Sequence, residues 1–518
     1  MRNFNILSYI LLFVACACSQ DVIDLQEPEG PVETDCSTVT AGSADFTKFV
    51  AIGSSYVAGF QAGALFSVGQ NNSLAAILNK QFECAGAPTE FVQPDINTTH
   101  GFNIFISPNP MGPVVLGRML LQGATPRPTP QVSGTEAIPN PAVNPSFIYA
   151  GSKADLNNFG VQAIVLGQAL IPETGKWAGA GTDPRFNPFY GRLAYPGNGT
   201  STLLGDAAAA GGSFILFWLG MDDFLLNAAF GGDPAKAPLT AAAAFDGQYK
   251  LAISSLLASN PNLKGVVANY PNVFKMPHFT SVVWNAVPLP AATATALTES
   301  LAKNYNLFLD GMTANSIISS DEAKKRKLTY VAGQNAILIT DETLTDLSAF
   351  MAGPYAGLLP YARARQTTVS DILPLSAGSV IGTAIGGDPN KVYGVSVPLP
   401  DQYVLIPSEV AAIETARVAF NSTVKSVADA NTTRLAFADV DQHLEALIAA
   451  KMMVINGVAI TPNINPPTGI YSEDGIHPNS RGYAFIANAF VSAINTRFGA
   501  TINSVNIGQY QATALPIP

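Results

Sequence analysis

Residues 213–223 read SFILFWLGMDD. The run from Ser213 to Leu219 is apolar on both faces, as in a central strand of a parallel sheet covered front and back. It stops at Gly220-Met221-Asp222-Asp223, where the pattern predicts a turn and a helix from about Phe224. Downstream, Phe245, Tyr249, Ala252, Ile253 and Leu256 recur at helical spacing, with Pro261 beyond the end. Gly265 to Ala268 reads as a second buried strand, and Leu435 to Val440 as a third that leads into a helix through Leu444, Leu447 and Ile448. A last helix is expected from about Ser480 to Arg497, with Tyr483, Ile486, Phe490 and Ile494 on one face. Upstream, Phe49-Val50-Ala51-Ile52 ends at Gly53-Ser54-Ser55, and Ala163 to Leu166 is a shorter strand candidate. Strand and helix alternate at both ends of the chain, which argues for an α/β fold built on a parallel sheet.

The middle, roughly 275–400, breaks that rhythm. Residues 327–331 (KLTYV) and 336–340 (AILIT) flank Ala332-Gly333-Gln334-Asn335 and predict a β-hairpin. We read this stretch as an insertion over the sheet edge or the ligand-bearing face. In open α/β sheets ligands gather beyond the carboxyl ends of the strands, where Gly53-Ser54-Ser55 and Gly220-Met221-Asp222-Asp223 would lie.

Composition narrows the functional classes. Of 518 residues, 48% are apolar and only 12% charged, too hydrophobic for a disordered chain. Length alone would allow about three domains of roughly 150 residues. The net charge of −10 leaves no room for a long basic patch, so nucleic acid is not an expected partner.

The first residues combine Arg2 with an apolar run from Ile6 to Ala15, followed by Cys16-Ala17-Cys18-Ser19, the layout of a secretory leader. The run is too short to span a bilayer, which takes about 20 residues. Phe13-Val14-Ala15-Cys16 resembles a bacterial lipobox, and Ala15-Cys16-Ala17-Cys18 is a second match. Residues 1–18 are therefore expected to be a lipoprotein signal with Cys16 or Cys18 acylated. Such a protein is exported and held by lipid on an envelope membrane, here expected to be the outer one. Residues 19–44 are acidic, carry Pro28, Gly30 and Pro31 and no Lys or Arg, and are expected to be a disordered tether. The other two of the four cysteines, Cys36 and Cys84, could close one disulfide outside the cytoplasm. Two cysteines and scattered histidines do not make a zinc site, and no metal or cofactor is implied.

Four segments carry the chemistry in order along the chain. Residues 49–60 (FVAIGSSYVAGF) resemble the first block of the GDSL/SGNH hydrolases, whose nucleophilic serine follows the first strand. Residues 157–161 (NNFGV) resemble the second block, whose glycine offers a backbone N–H to an oxyanion. Residues 220–223 (GMDD) stand where the third block has Gly-x-Asn-Asp, and residues 474–477 (DGIH) match the Asp-x-x-His of the last. The likeness runs over about 45–500 and is nearest to exported bacterial lipoprotein members. It implies a three-layer, doubly wound parallel sheet over 45–518, carrying the 275–400 insertion.

It also implies a catalytic scheme. His477 would take the proton of Ser55, Asp474 would hold the imidazole, and the N–H groups of Ser55 and Gly160 with a third donor at position 222 would meet the oxyanion. The function so implied is that of a membrane-anchored serine esterase or lipase-like acylhydrolase, acting on an ester-bearing small molecule, lipid or acylated glycan. Two departures stand out. Ser54 replaces the usual aspartate before the nucleophile, and Asp222 replaces the oxyanion-hole asparagine. An ionised carboxylate accepts hydrogen bonds only and repels an oxyanion. The alternative is therefore a catalytically impaired surface lipoprotein that uses the same pocket to bind a glycan or lipid. His100, His278 and His443 have no comparable context and read as structural.

Overall fold

A computed structural model describes residues 36–102, 106–109, 112–123, 127–132, 147–194 and 199–513. The leader, Cys16, Cys18 and residues 19–35 lie outside the described residues. Five parallel strands form the central sheet: β1 (Phe49–Gly53), β2 (Asn158–Gly160), β3 (Phe214–Trp218), β4 (Lys264–Ala268) and β5 (Leu435–Ala438). Their order is 2-1-3-4-5, with registers such as Gly53 opposite both Gly160 and Trp218. The direction of winding therefore reverses between β1 and β3, which opens a crevice beyond their carboxyl ends.

The all-apolar β3 explains the layering. Neighbouring side chains on a strand point to opposite faces. Trp218 meets Phe490 on one face, while Phe217 meets Tyr249 on the other. Phe490 belongs to α8 (Ser480–Phe498), and Tyr249 to α5 (Ala242–Ser259). Helices α2 (Leu74–Phe82) and α7 (Val440–Ala450) join α8, and α4 (Asp222–Ala229) and α6 (Pro407–Ala430) join the α5 side. A short helix, α3 (Leu203–Ala209), precedes β3. The Asn479 side chain accepts from the Gly482 N–H to cap the start of α8, and Gly499 at φ +65° ends it in the left-handed region.

Three expectations are corrected. The second strand is Asn158–Gly160, not Ala163 to Leu166. Asn157 donates to the Phe49 carbonyl (2.7 Å) and accepts from the Val92 N–H (2.9 Å), which docks the chain beside β1 before residue 160. The tether is ordered over its last residues. Cys36 is bonded to Cys84, Thr40 pairs with Thr501, and the Ser43 N–H donates to the Phe498 carbonyl. The hairpin across 327–340 does not form. Gly333–Asn335 pairs with Val287–Leu289, and Leu338–Thr340 with Ala364–Gln366. Leu328 is tied at its N–H and carbonyl by the amide of Asn306, so residues 327–331 have no need of a neighbouring strand.

The insertion occupies the crossover from β4 to α6 and has its own apolar core, with Tyr305, Phe308, Leu309, Ile337, Leu338, Ile339 and Leu399 nearly sealed from solvent. An element the sequence reading did not anticipate, an antiparallel sheet of Ile106–Asn109, Gly112–Gln122 and Arg127–Val132, follows β1 and attaches through the Met119 N–H to the Ala62 carbonyl.

Candidate active site

β1 ends at Gly53, where a Cβ would stand 2.3 Å from Val57 and 2.6 Å from the Trp218 carbonyl. That close approach lets the chain turn at once into the single helical turn α1 (Ser55–Ala58), with Ser55 at its start, over the crevice. Ser55 is buried. Its hydroxyl donates to Asp222 Oδ2 at 3.3 Å and accepts from the Ala163 N–H at 3.2 Å.

Asp222 arrives from the neighbouring strand end. β3 stops at Trp218, Gly220 takes φ +123°, and α4 begins at Asp222. Burial lifts the Asp222 pKa to about 6, although the nearby His477 and the Ser55 hydroxyl pull the other way. Burial likewise pushes Asp223 to about 7, against the Leu166 N–H that it accepts at 2.7 Å.

The last two members share one turn. Asp474 Oδ2 lies 2.9 Å from His477 Nδ1 and also accepts the Gly63 N–H at 2.8 Å. Its Oδ1 accepts the N–H groups of Ile476 and His477, each at 2.8 Å. Burial alone would raise this carboxyl, but its electrostatic interaction with the adjacent imidazole and these bonds override it and hold the pKa at about 2. The imidazole lies among the rings of Phe60 and Tyr56, with centroids 4.8 and 5.4 Å away. Its Nε2 is buried and unpartnered, so the Ser55–His477 hydrogen bond is not made here. The serine hydroxyl is parked on Asp222 instead. A long or misaligned nucleophile–base contact is common before substrate binds.

The second block is corrected in detail. The Gly160 N–H is already donated to Asn158 Oδ1 at 2.8 Å, so it is not the oxyanion donor. Glycine is needed there for another reason, because a Cβ would meet the Ala58 nitrogen at 2.3 Å. The N–H that reaches Ser55 belongs to Ala163, held at φ +51°. Asn187 braces this segment by donating to the Gln162 and Ala163 carbonyls at 3.0 and 3.2 Å. Its signal in the chain is faint, since a backbone donor needs no particular side chain.

His278 is the other residue that sequence reading missed. Its Nδ1 lies 2.9 Å from the Asp474 carbonyl, and its N–H donates to the Gly475 carbonyl at 2.9 Å. Gly475, at φ +71°, has no room for a Cβ against the His278 nitrogen, 2.7 Å away. The entry to the insertion therefore clamps the turn that carries the acid. His443, by contrast, stacks on Phe485 and bonds its carbonyl, a packing role as expected.

Among the described residues, ligating groups also gather at Glu342, Asp401 and Glu409. No helix among the described residues is long and apolar enough to cross a membrane. No family model matches the chain, and neither a curated protein nor a solved structure does.

Proposed function

We propose that this protein is a serine esterase of the GDSL/SGNH type, exported and lipid-anchored, that cleaves carboxylic esters through Ser55, His477 and Asp474. The observation that carries the reading is the environment of Ser55. Its oxygen already receives the Ala163 N–H, and its hydroxyl donates to a carboxyl that the His477 imidazole also influences. A rotation about χ1 of Ser55 redirects its O–H from Asp222 to the free Nε2 of His477, which then takes the proton from the serine oxygen. The alkoxide then attacks the ester carbonyl, and the oxyanion takes the Ala163 N–H that the resting hydroxyl occupies. His477, steadied by Asp474, returns the proton to the departing alcohol, and water repeats the sequence to free the acid. The strand order 2-1-3-4-5 supports the family's three-layer arrangement.

Hydrolysis of p-nitrophenyl acetate and butyrate tests this directly. The intact protein should turn over, Ser55→Ala and His477→Ala should lose at least about 10³ in kcat, and a fluorophosphonate probe should label Ser55 alone. Equal turnover by Ser55→Ala would refute it.

One observation favours the second reading, an impaired hydrolase that binds a glycan or lipid. Asp222 accepts the serine proton and, when ionised, opposes the oxyanion. If wild-type protein binds ester ligands without turnover at any pH from 4.5 to 9 and Asp222→Asn restores hydrolysis, that reading replaces the first. Anchoring is tested by metabolic labelling with a palmitate analogue, which Cys16→Ala or Cys18→Ala should abolish.

A further inference from the structure

The insertion holds a cavity of about 730 Å³ lined only by its own residues, well inside the range of small-molecule sites. One wall is the helical run Ala291–Leu297, Thr298–Ala302 and Lys303–Ala314, whose middle segment is a π-turn, a local widening often found at functional sites. Facing it is Gly353–Tyr361 (GPYAGLLPY), stiffened by Pro354 and Pro360, together with the strand Asp388–Val392.

Three features define what fits. None of the lining residues is charged, which disfavours phosphates, carboxylates and charged peptides. Tyr355 is 40% exposed and braced from behind by Phe308 (ring centroids 5.0 Å apart), offering an aromatic surface at little entropic cost. Around it stand neutral donor–acceptor groups: Asn304, Asn390, Ser300 and Thr293. The Asn304 amide nitrogen is spent on the Ser300 carbonyl at 2.8 Å, which orients its oxygen as an acceptor. A wall that mixes apolar surface with uncharged amides and hydroxyls, around an aromatic ring, matches a ligand with apolar C–H faces and a rim of hydroxyls. A fatty acyl chain would leave the amides unsatisfied, and an ionic ligand would find no counter-charge.

We propose that this cavity binds a neutral oligosaccharide, as a site of its own within the insertion. It does not rest on the esterase reading. The test uses the full chain in two assays, calorimetric titration with cellohexaose, mannohexaose and xylohexaose, and mobility in native gels containing glucomannan or mixed-linkage β-glucan. Polygalacturonate and laurate serve as the charged and apolar alternatives. At least one neutral glycan should bind. Tyr355→Ala and Asn304→Ala should each weaken binding by about tenfold, and Tyr355→Phe should retain it. Both side chains are exposed, so the variants should keep the wild-type melting curve. Ser55→Ala should bind like wild type even if hydrolysis is lost. The proposal is overturned if no neutral glycan binds, if laurate or polygalacturonate binds instead, or if binding survives both alanine variants.

Discussion

Asp222 sets the chemistry available to the serine, because its two protonation states act in opposite directions. Protonated, it can donate to an oxyanion; ionised, it only accepts and repels. Its pKa of about 6, raised by burial, puts the change within reach of ordinary assays. The sign follows directly: wild-type kcat/KM should fall as pH rises through about 6, and Asp222→Asn should remove that limb. Above pH 7 the asparagine variant should gain about 10²–10³, the worth of one oxyanion donor. A pH–rate profile from 4.5 to 9 reads this, and coincident alkaline limbs would count against it. His278 acts one step away, on the backbone of Asp474. Replacing it with alanine should lower kcat by about tenfold with little change in KM, as expected for a loosened triad. His278→Asn, which keeps a donor near the carbonyl, should recover most of the loss; a uniform fall in folded protein without rescue would mark His278 as packing alone.

At the level of elements, Gly160 and Ala163 exchange the roles that their residue types suggest. Gly160→Ala drives a methyl into the backbone of α1 and should cost about 1–3 kcal/mol in a urea melt. Ala163→Gly should leave hydrolysis intact, since its donor is backbone and its φ of +51° suits glycine. The same contrast shows what could be read beforehand. The strands β1, β3 and β4 were legible because burial on both faces leaves an unbroken apolar run. The Asp474–His477 pair was legible because both residues sit on one turn. β2 was not, because asparagine side chains rather than apolar ones seat it. The 327–340 segment misled because its ties run to distant parts of the insertion: the Asn306 side chain bonds the Leu328 backbone, and the Tyr330 hydroxyl donates to the Val395 carbonyl. At the start of α6, Glu409 accepts the Ile406 N–H at 2.8 Å, while burial and then Glu342 and Asp401 push its pKa to about 8. The folded chain thus binds this proton more tightly than the unfolded one. Its contribution is full below about pH 4.5 and is lost as pH rises toward 8. Glu409→Gln should therefore flatten the decline in melting temperature over that interval.

At the scale of the molecule, the deciding fact is that the described residues form two apolar cores. The sheet core is entered and left at the crossover between β4 and α6, and the insertion packs around Tyr305, Ile337 and Leu399 independently of it. The insertion also contains its own buried ionic centre, in which Arg365 meets Asp341 at 2.5 Å and Asp371 at 2.7 Å. Charges sealed this way rarely add net stability, but removing one partner strands the others. Arg365→Met strands two buried carboxylates without their cation and should cost about 3–5 kcal/mol. That cost should fall on the insertion, because neither aspartate touches the central sheet. Calorimetry should show a low-temperature transition moving down while the main one holds. Hydrolysis should weaken as the insertion melts, since its first turn carries the His278 clamp on Asp474. The Cys36–Cys84 bond offers the opposite control. It closes a separation of 48 residues within the sheet body, so its removal should cost about 4 kcal/mol and shift the main transition alone. A single transition that moves as one in both variants would mean that the two cores unfold together, and that the clamp transmits stability as well as position.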